Sequence, residues 1–130
     1  MENLAEYFEN TSGRGVFASA DGQGNVDAAL YARPHFSAPD KLAFIMADRL
    51  THANLQQNPK AVYLFMEDGE GYQGKRLFIT KLEESEDKEV IQGMIRGNRC
   101  CHCSDESLKK DKHFVVYFKL DAVRPLVGDK

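Results

Sequence analysis

The sequence has no excess of positive charge, no long apolar run and no secretory signal. Its 130 residues carry a net charge of −3, and a protein without a basic face is not expected to take nucleic acid as its main partner. No stretch approaches the roughly 18 consecutive apolar residues that are needed to span a bilayer. Residues 1–4 lack the charged and apolar regions with which a signal peptide begins. These absences predict a cytoplasmic protein that has neither nucleic acid nor a membrane as its partner.

Cysteine is scarce and confined to one place. The three cysteines, Cys100, Cys101 and Cys103, lie together around His102, and an odd, clustered set is not a disulfide framework. The tetrad contains four potential metal ligands, but zinc sites usually draw on two separated pairs. We interpret it as a reduced, polar loop and predict no metal. A metal shared across a dimer, or a redox-active thiol, is the alternative.

Motifs that would indicate a phosphate loop or a cofactor-independent catalytic centre are also absent. The glycine-rich turn at residues 21–24 is followed by neither GxGxxG nor Lys-Ser/Thr, so a β-hairpin is favoured there. The four histidines, His35, His52, His102 and His113, are scattered along the chain without a Ser-His-Asp or paired-carboxylate arrangement. An acid–base mechanism that needs no cofactor is therefore not indicated.

The apolar pattern predicts one mixed α+β domain over residues 1–130. Apolar residues make up 42% and charged residues 28% of the chain, as in soluble globular proteins. Strand-like runs occur at residues 15–20, 25–32, 42–47, 61–66, 76–82 and 114–120, and helical patterns occur at 1–10 and 83–97. Residues 35–37 and 67–75 are interpreted as loops, and 122–128 as a closing tail. About six strands joined by hairpin loops predict an antiparallel barrel with short flanking helices.

The chain is organised around residues 41–66, in which a short helix joins two of these strands. Asp48 and Thr51 are both suitable N-caps for the helix, and Pro59 ends it. Leu50, Ala53 and Leu55 are expected on its buried side. Unpaired N–H groups at a helix start favour an anion. Arg49, Thr51 and His52 could thus hold a phosphate, although most such helix starts bind only water.

The residues of this helix also resemble a known family. Residues 49–59, RLTHANLQQNP, are similar to the segment after the flavin-facing strand in the pyridoxamine 5′-phosphate oxidase-like FMN-binding split barrels. There a basic pair is followed, four residues after its second member, by a leucine, and Asn-Pro closes the turn. Leu55 and the Asn58-Pro59 pair match these places, while Leu50 and Thr51 replace the basic pair. The likeness in strand order covers residues 15–128.

The resemblance implies an antiparallel split β-barrel that forms a homodimer and binds FMN. It implies a redox or electron-transfer role, with a small molecule or a redox protein as substrate. Pyridoxamine phosphate is not the expected substrate, because the basic pair is missing. Residues 28–31 are expected along the flavin ring, residues 48–52 around the phosphate, and two later residues near the ring. The flavin-binding positions are thus Ala28, Ala29, Leu30, Tyr31, Asp48, Arg49, Leu50, Thr51, His52, Gln73 and Arg76.

Two other functions remain open from the sequence. The same barrel could be a non-catalytic module that holds haem, a deazaflavin, another ligand or none, with His52 or His102 as an axial haem ligand. The cysteine tetrad could instead make the protein a metal or redox sensor. The visible spectrum of the purified protein distinguishes a flavin from a haem or a colourless zinc site.

Overall fold

The computed structural model describes residues 3–47, 49–87, 89–91 and 113–128. The elements are α1 (Leu4–Asn10), β1 (Gly13–Ala20), β2 (Val26–Tyr31), β3 (His35–Ala38), β4 (Lys41–Ala47), α2 (Leu50–Gln57), β5 (Lys60–Glu67), β6 (Gly74–Ser85) and β7 (His113–Pro125). Within these ranges, no helix has the length and apolar character that crossing a membrane requires.

All seven strands belong to one antiparallel sheet in the order β2-β1-β5-β6-β7-β4-β3. The predicted antiparallel sheet with short flanking helices is confirmed, although seven strands replace the expected six and the sheet is not closed. Register shifts in β6, between Phe78 and Ile79 and again between Lys81 and Glu83, are of the kind that bends strands. The sheet curls far enough for Tyr31 of β2 to contact Phe44 of β4, with 6.1 Å between ring centroids.

Several predicted boundaries are wrong because pairing with other strands overrides the local pattern. Residues 35–37, predicted as a loop, belong to β3, which pairs with β4. Residues 83–85, predicted as a helix start, extend β6 and pair with residues 115–117. Residues 122–125 belong to β7 rather than to a tail. Helix follows only at residues 89–91, and the rest of the predicted helix, 92–97, lies outside the described residues.

The core is predominantly aromatic. Phe17, Tyr63, Phe65 and Phe118 are completely buried on one side of the sheet. Phe8 of α1 packs edge-on against Phe65 at 5.0 Å, so the N-terminal helix covers one end of this core. Close packing of rings of this size explains how a chain of 130 residues builds a continuous interior.

The opposite side of strands β2, β1, β5 and β6 is also apolar, and we call it the outer face. Cross-strand pairing places Leu30, Val16 and Leu64 in one row, and Ala28, Ala18, Val62 and Phe78 in the next. Leu30 is 59% exposed, and Val26 at the end of β2 is 83% exposed. A continuous apolar surface of this kind on a small protein indicates a binding surface.

Candidate functional site

The start of α2 is the first part of the candidate site. Strand β4 leads the chain to it, and the N-cap is Arg49, whose backbone is extended and whose side chain makes no capping hydrogen bond. The Arg49 carbonyl accepts the first helical bond, from Ala53 N–H at 3.0 Å. The N–H groups of the first turn have no acceptor inside the helix. This end of α2 therefore has the local geometry that can receive an anion.

The predicted N-caps are not the cap. Thr51 is the second residue of α2 and is only 5% exposed, while Asp48 lies outside the described residues. The Thr51 hydroxyl donates a weak hydrogen bond, at 3.5 Å, to Asp27 Oδ2 of β2. The cap prediction for Thr51 is wrong because the helix already begins at Leu50, which places Thr51 inside its first turn.

The buried side of α2 is more polar than the sequence predicted. Leu55 is buried as expected, but Leu50 and Ala53 are exposed. Polar residues bury in their place, and Asn54 Nδ2 donates to Ser19 Oγ of β1 at 3.1 Å. Sequence analysis missed this contact and the one with Asp27. The available signal was the alternation along β1 and β2, in which the polar residues fall on the same side of the strand as the core aromatic residues.

Strand β2 runs directly beside this helix, so two predicted parts of the site are neighbours. Alternation along β2 decides the strand register that the sequence left open. Ala28 and Leu30 belong to the outer face, whereas Ala29 and Tyr31 belong to the core side. The Tyr31 ring packs on Phe17 at 5.3 Å between centroids. Residues 28–31 therefore offer a ligand only two outward side chains.

Arg76, and Gln73 just before the same strand, are separated from β2 by two other strands within one chain. Strand β6, which carries Arg76, is separated from β2 by β1 and β5, which corresponds to about 14 Å at the spacing of neighbouring strands. Arg76 Nε donates to the Pro125 carbonyl at 2.9 Å. Gln73 lies in the exposed connection before β6, and its carbonyl accepts from Glu67 N–H at 2.8 Å. A single copy does not bring all predicted residues together.

His52 faces the sheet rather than the helix start. Its ring stacks on Phe114 of β7, with 3.9 Å between centroids and 7° between planes. Its Nε2 lies 2.9 Å from Glu84 Oε2 of β6, and a carboxylate only accepts hydrogen bonds, so Nε2 carries the proton. In this arrangement His52 holds α2 against β6 and β7.

Glu84 is the electrostatic centre of that contact. Partial burial would by itself raise the pKa of its carboxyl group. Hydrogen bonds from Lys81, Gln56 and His52 outweigh this effect and lower the pKa of Glu84 to about 2. Glu84 is thus a carboxylate at all ordinary pH values, and it joins two residues of α2 to β6.

A metal centre is not visible in the described part of the chain. Those residues contain no group of three or more His, Cys, Asp or Glu side chains that could hold a metal ion. The tetrad at residues 100–103 lies outside them, so its predicted role stays a prediction.

Comparisons with known proteins bear on the fold. No family model and no curated protein matches this chain. An FMN-binding protein from Syntrophomonas wolfei subsp. wolfei is 14% identical, with a TM-score of 0.76 over 98% of this chain and 86% of its own. An F420 reductase is 9% identical, with a TM-score of 0.71 over 95% of this chain and 98% of its own.

A third similar structure is a pyridoxamine 5′-phosphate oxidase-like protein from Lactobacillus delbrueckii. It is 17% identical, with a TM-score of 0.65 over 95% of this chain and 91% of its own. At such identities the likeness establishes the fold and nothing finer. The resemblance predicted from residues 49–59 is confirmed at that level, because these structures belong to the split-barrel superfamily.

Proposed function

We propose that this protein, whose fold is that of the split-barrel flavoproteins, binds FMN between two copies of the chain. The observation that carries the proposal is the likeness to an FMN-binding protein over 98% of the chain. When bound, FMN supplies hydride or electron transfer, and the chain's own residues bind and orient it. The expected role is that of an oxidoreductase or an electron-transfer protein, and a cytoplasmic location stays a prediction.

The start of α2 is the proposed phosphate site. The extended N-cap at Arg49 leaves the N–H groups of residues 50–52 at the positive end of the helix. Arg49 supplies positive charge and Thr51 a hydroxyl, and Asp48 remains a predicted contact. His52 supports the site indirectly, because its contacts with Glu84 and Phe114 hold α2 in place. The Asp27 carboxylate competes with a phosphate for the Thr51 hydroxyl, so phosphate binding is expected to be moderate.

Strand β2 is the proposed neighbour of the flavin ring. Ala28 and Leu30 are exposed on the outer face, and the small Ala28 side chain lets a flat ring approach the backbone. Ala29 and Tyr31 face the core and support the flavin site indirectly, because their packing on the core holds β2 in place. A planar ring with one methyl group beneath it fits this surface without displacing core residues.

A second copy of the chain is the proposed source of the remaining contacts. Arg76 is about 14 Å from β2 along the sheet of one chain, by the spacing of strands, and Gln73 directly precedes the strand of Arg76, so a partner chain is the proposed source of both contacts. The outer face offers the surface on which two copies could meet, since one of its apolar rows crosses three strands and the other crosses four. A homodimer would bury this face and complete two flavin sites.

The test is the visible spectrum of the purified protein, followed by titration of apo-protein with FMN, FAD and riboflavin. Flavin is expected to give bands near about 370 and 450 nm, and FMN is expected to bind more tightly than FAD, because a single anion site is proposed. Absence of saturable FMN binding would reject the proposal. Equal affinity for FAD would reject the single phosphate site.

A deazaflavin is the second candidate ligand, and the likeness to an F420 reductase favours it. Titration with F420 beside FMN decides between them, and the tighter ligand is the cofactor. For haem, an axial role of His52 would require its Nε2 to leave Glu84, and His102, the other predicted axial ligand, lies outside the described residues. A Soret band near about 400 nm would nevertheless identify haem directly.

A further inference from the structure

A separate cavity opens on the outer face, at the end where the β1–β2 hairpin turns. It has a volume of about 530 Å³, within the range of roughly 300–1,000 Å³ for small-molecule sites. It is lined by Ala18, Ser19, Ala20, Val26, Asn58, Lys60, Ala61, Val62, Phe78, Ile79 and Asp121. Asn58 follows the C-terminal end of α2, so this cavity lies at the opposite end of the helix from the proposed phosphate site.

The shape of the cavity favours a flat ligand. Its floor includes two small side chains of β1, Ala18 and Ala20. Cross-strand pairing places Val26 beside Ala20, and Val62 beside both Ala18 and Phe78. The larger side chains of Val26, Val62 and Phe78 thus lie on both sides of the shallow surface that the two alanines form. A planar ring lying on that floor would contact apolar atoms below and at its edges.

The charges at the rim favour a neutral ligand. Lys60 Nζ donates to Thr80 Oγ1 at 2.8 Å and lies 3.8 Å from Asp121 Oδ2, and the Thr80 hydroxyl donates to the same carboxylate. The positive charge of Lys60 is therefore balanced by the carboxylate of Asp121, which also lines the cavity. An anion attracted by the Lys60 ammonium group would be repelled by the Asp121 carboxylate, and a cation attracted by the carboxylate would be repelled by the ammonium group. Neither charge is therefore favoured.

One neutral polar group at the rim can orient a ligand. Asn58 lines the cavity; its side-chain oxygen accepts from Lys60 N–H at 3.1 Å, and its amide nitrogen carries two N–H donors. Such donors suit a hydroxyl or carbonyl oxygen at the edge of a ring. The cavity thus combines an apolar floor, balanced charges and a neutral donor.

We propose that this cavity binds a neutral, planar aromatic compound that carries one hydroxyl or carbonyl group. The site goes beyond the flavin site proposed above and does not depend on it. Val26 and Ala28 lie on the same strand, so an aromatic ligand in this cavity would be adjacent to a flavin on β2. A second copy of the chain on the outer face would cover the open side of the cavity.

The experiment is calorimetric titration of the full chain with 2-naphthol and with its 6-sulfonate, which adds a negative charge to the same ring. We expect saturable binding of 2-naphthol and about tenfold weaker binding of the sulfonate. Ala18→Leu fills the floor and should weaken 2-naphthol binding by about tenfold, or 1.4 kcal/mol. Ala53→Leu is the matched control, because Ala53 is exposed on α2 and does not line the cavity.

A second variant covers the case in which Ala18→Leu does not fold. Val26 is 83% exposed, so Val26→Ser should leave the melting temperature unchanged while it removes one apolar wall and weakens 2-naphthol binding. Absence of saturable binding to the wild type, or equal losses in the cavity and control variants, would overturn the proposal.

Two further arms separate this site from its alternatives. If saturating FMN displaces 2-naphthol, the cavity holds the flavin ring and the separate site is rejected. If Ala18→Leu abolishes both dimer formation and 2-naphthol binding, side chains of a second copy fill the cavity instead. Saturable 2-naphthol binding by a protein that binds no FMN would support this site while rejecting the flavin proposal.

Discussion

Neighbouring residues at the start of α2 have different roles that their spacing alone does not reveal. Leu50 is 59% exposed, Thr51 is buried against Asp27, and His52 is buried against Phe114. Among the described residues at the end of the helix, Arg49 and the backbone N–H groups of the first turn are the groups that suit an anion. The proposed phosphate contact therefore depends mainly on one side chain and the helix backbone.

Replacing Arg49 tests this contact. A hydrogen bond that involves a charged group contributes roughly 1.5–3 kcal/mol, and a neutral one about 0.5–1.5 kcal/mol. Arg49→Ala should weaken FMN binding by about tenfold to a hundredfold, and Thr51→Ala by less. Riboflavin, which has no phosphate, is the control ligand and should lose far less affinity. Equal losses for both flavins at an unchanged melting temperature would place the phosphate elsewhere.

Gly15 illustrates a residue that is required by a distant side chain. A Cβ atom at this position would overlap the Tyr63 hydroxyl group and ring. Tyr63 is completely buried, and its hydroxyl donates to the Ala32 carbonyl at 3.1 Å, so the ring cannot move aside easily. Gly15→Ala should reduce the free energy of unfolding by about 1–3 kcal/mol, as measured by urea denaturation.

The matched control for Gly15 is Gly22→Ala in the β1–β2 turn. There the new methyl group would meet only the Gln57 side chain, with Oε1 at 3.2 Å and Cβ at 3.7 Å, and that side chain is exposed. A loss of stability in Gly22→Ala as large as that in Gly15→Ala would show that Tyr63 is not the cause.

At the scale of elements, α2 is attached to the sheet by side chains on two of its sides. Thr51, Asn54 and Gln57, spaced three residues apart, contact the β1–β2 hairpin at Asp27, Ser19 and Gly22. His52 and Gln56, spaced four apart, both contact Glu84 of β6. Residues at these spacings share one side of a helix. Polar contacts thus fix the orientation of a helix that has few apolar residues to bury.

The contact with Glu84 predicts a dependence of stability on pH. The pKa of Glu84 is lowered to about 2 from an ordinary value of 4.5. Its stabilising effect is therefore complete above about pH 4.5 and is lost as the pH falls towards 2. Glu84→Gln should reduce the free energy of unfolding at neutral pH by about 1–2 kcal/mol and should flatten the loss of stability over this acid range.

The control for Glu84 is Glu83→Gln, which removes the same charge from the next residue of β6. Glu83 is exposed and pairs on the surface with Lys41 at 3.0 Å. Urea denaturation of both variants from pH 2 to 7 separates the specific contact from the general effect of charge. An identical pH profile in wild type and Glu84→Gln would contradict the assignment.

At the scale of the whole molecule, the outer face is an apolar sheet surface that the described part of the chain leaves open. Its residues Val16, Ala18, Val62 and Leu64 lie on the two strands β1 and β5, with Phe78 beside them on β6. The proposed flavin site also needs Gln73 and Arg76 from another copy. Both features point to the same partner, a second copy of the chain.

Leu64→Glu tests this assembly. A carboxylate enclosed between two copies loses its hydration, which is strongly unfavourable, whereas in the monomer position 64 stays partly exposed to water. We expect the wild type to sediment as a dimer and the variant as a monomer of unchanged melting temperature. Leu82→Glu is the control, since Leu82 is 53% exposed and lies outside the two rows. A wild type that sediments as a monomer at all concentrations would reject the dimer.

The sequence by itself determined the features that depend on residues adjacent in the chain. The turn after β1 was predictable because Asp21 Oδ1 accepts from the N–H groups of Gln23 and Asn25. The end of α2 was predictable because Pro59 disfavours helix at Asn58, the observed C-cap. The family resemblance of residues 49–59 belongs to this class, since it rests on spacing along one segment.

Only the tertiary structure decided the features that depend on a partner far away in the chain. Residues 83–85 form strand rather than helix because β7 supplies the pairing. The Thr51 hydroxyl donates to Asp27 of β2, and His52 faces Glu84 because β6 and β7 lie beneath α2. The outward position of Ala28 and Leu30 follows from the register of β2 on β1. Such contacts form only when the sheet assembles, so no local pattern contains them.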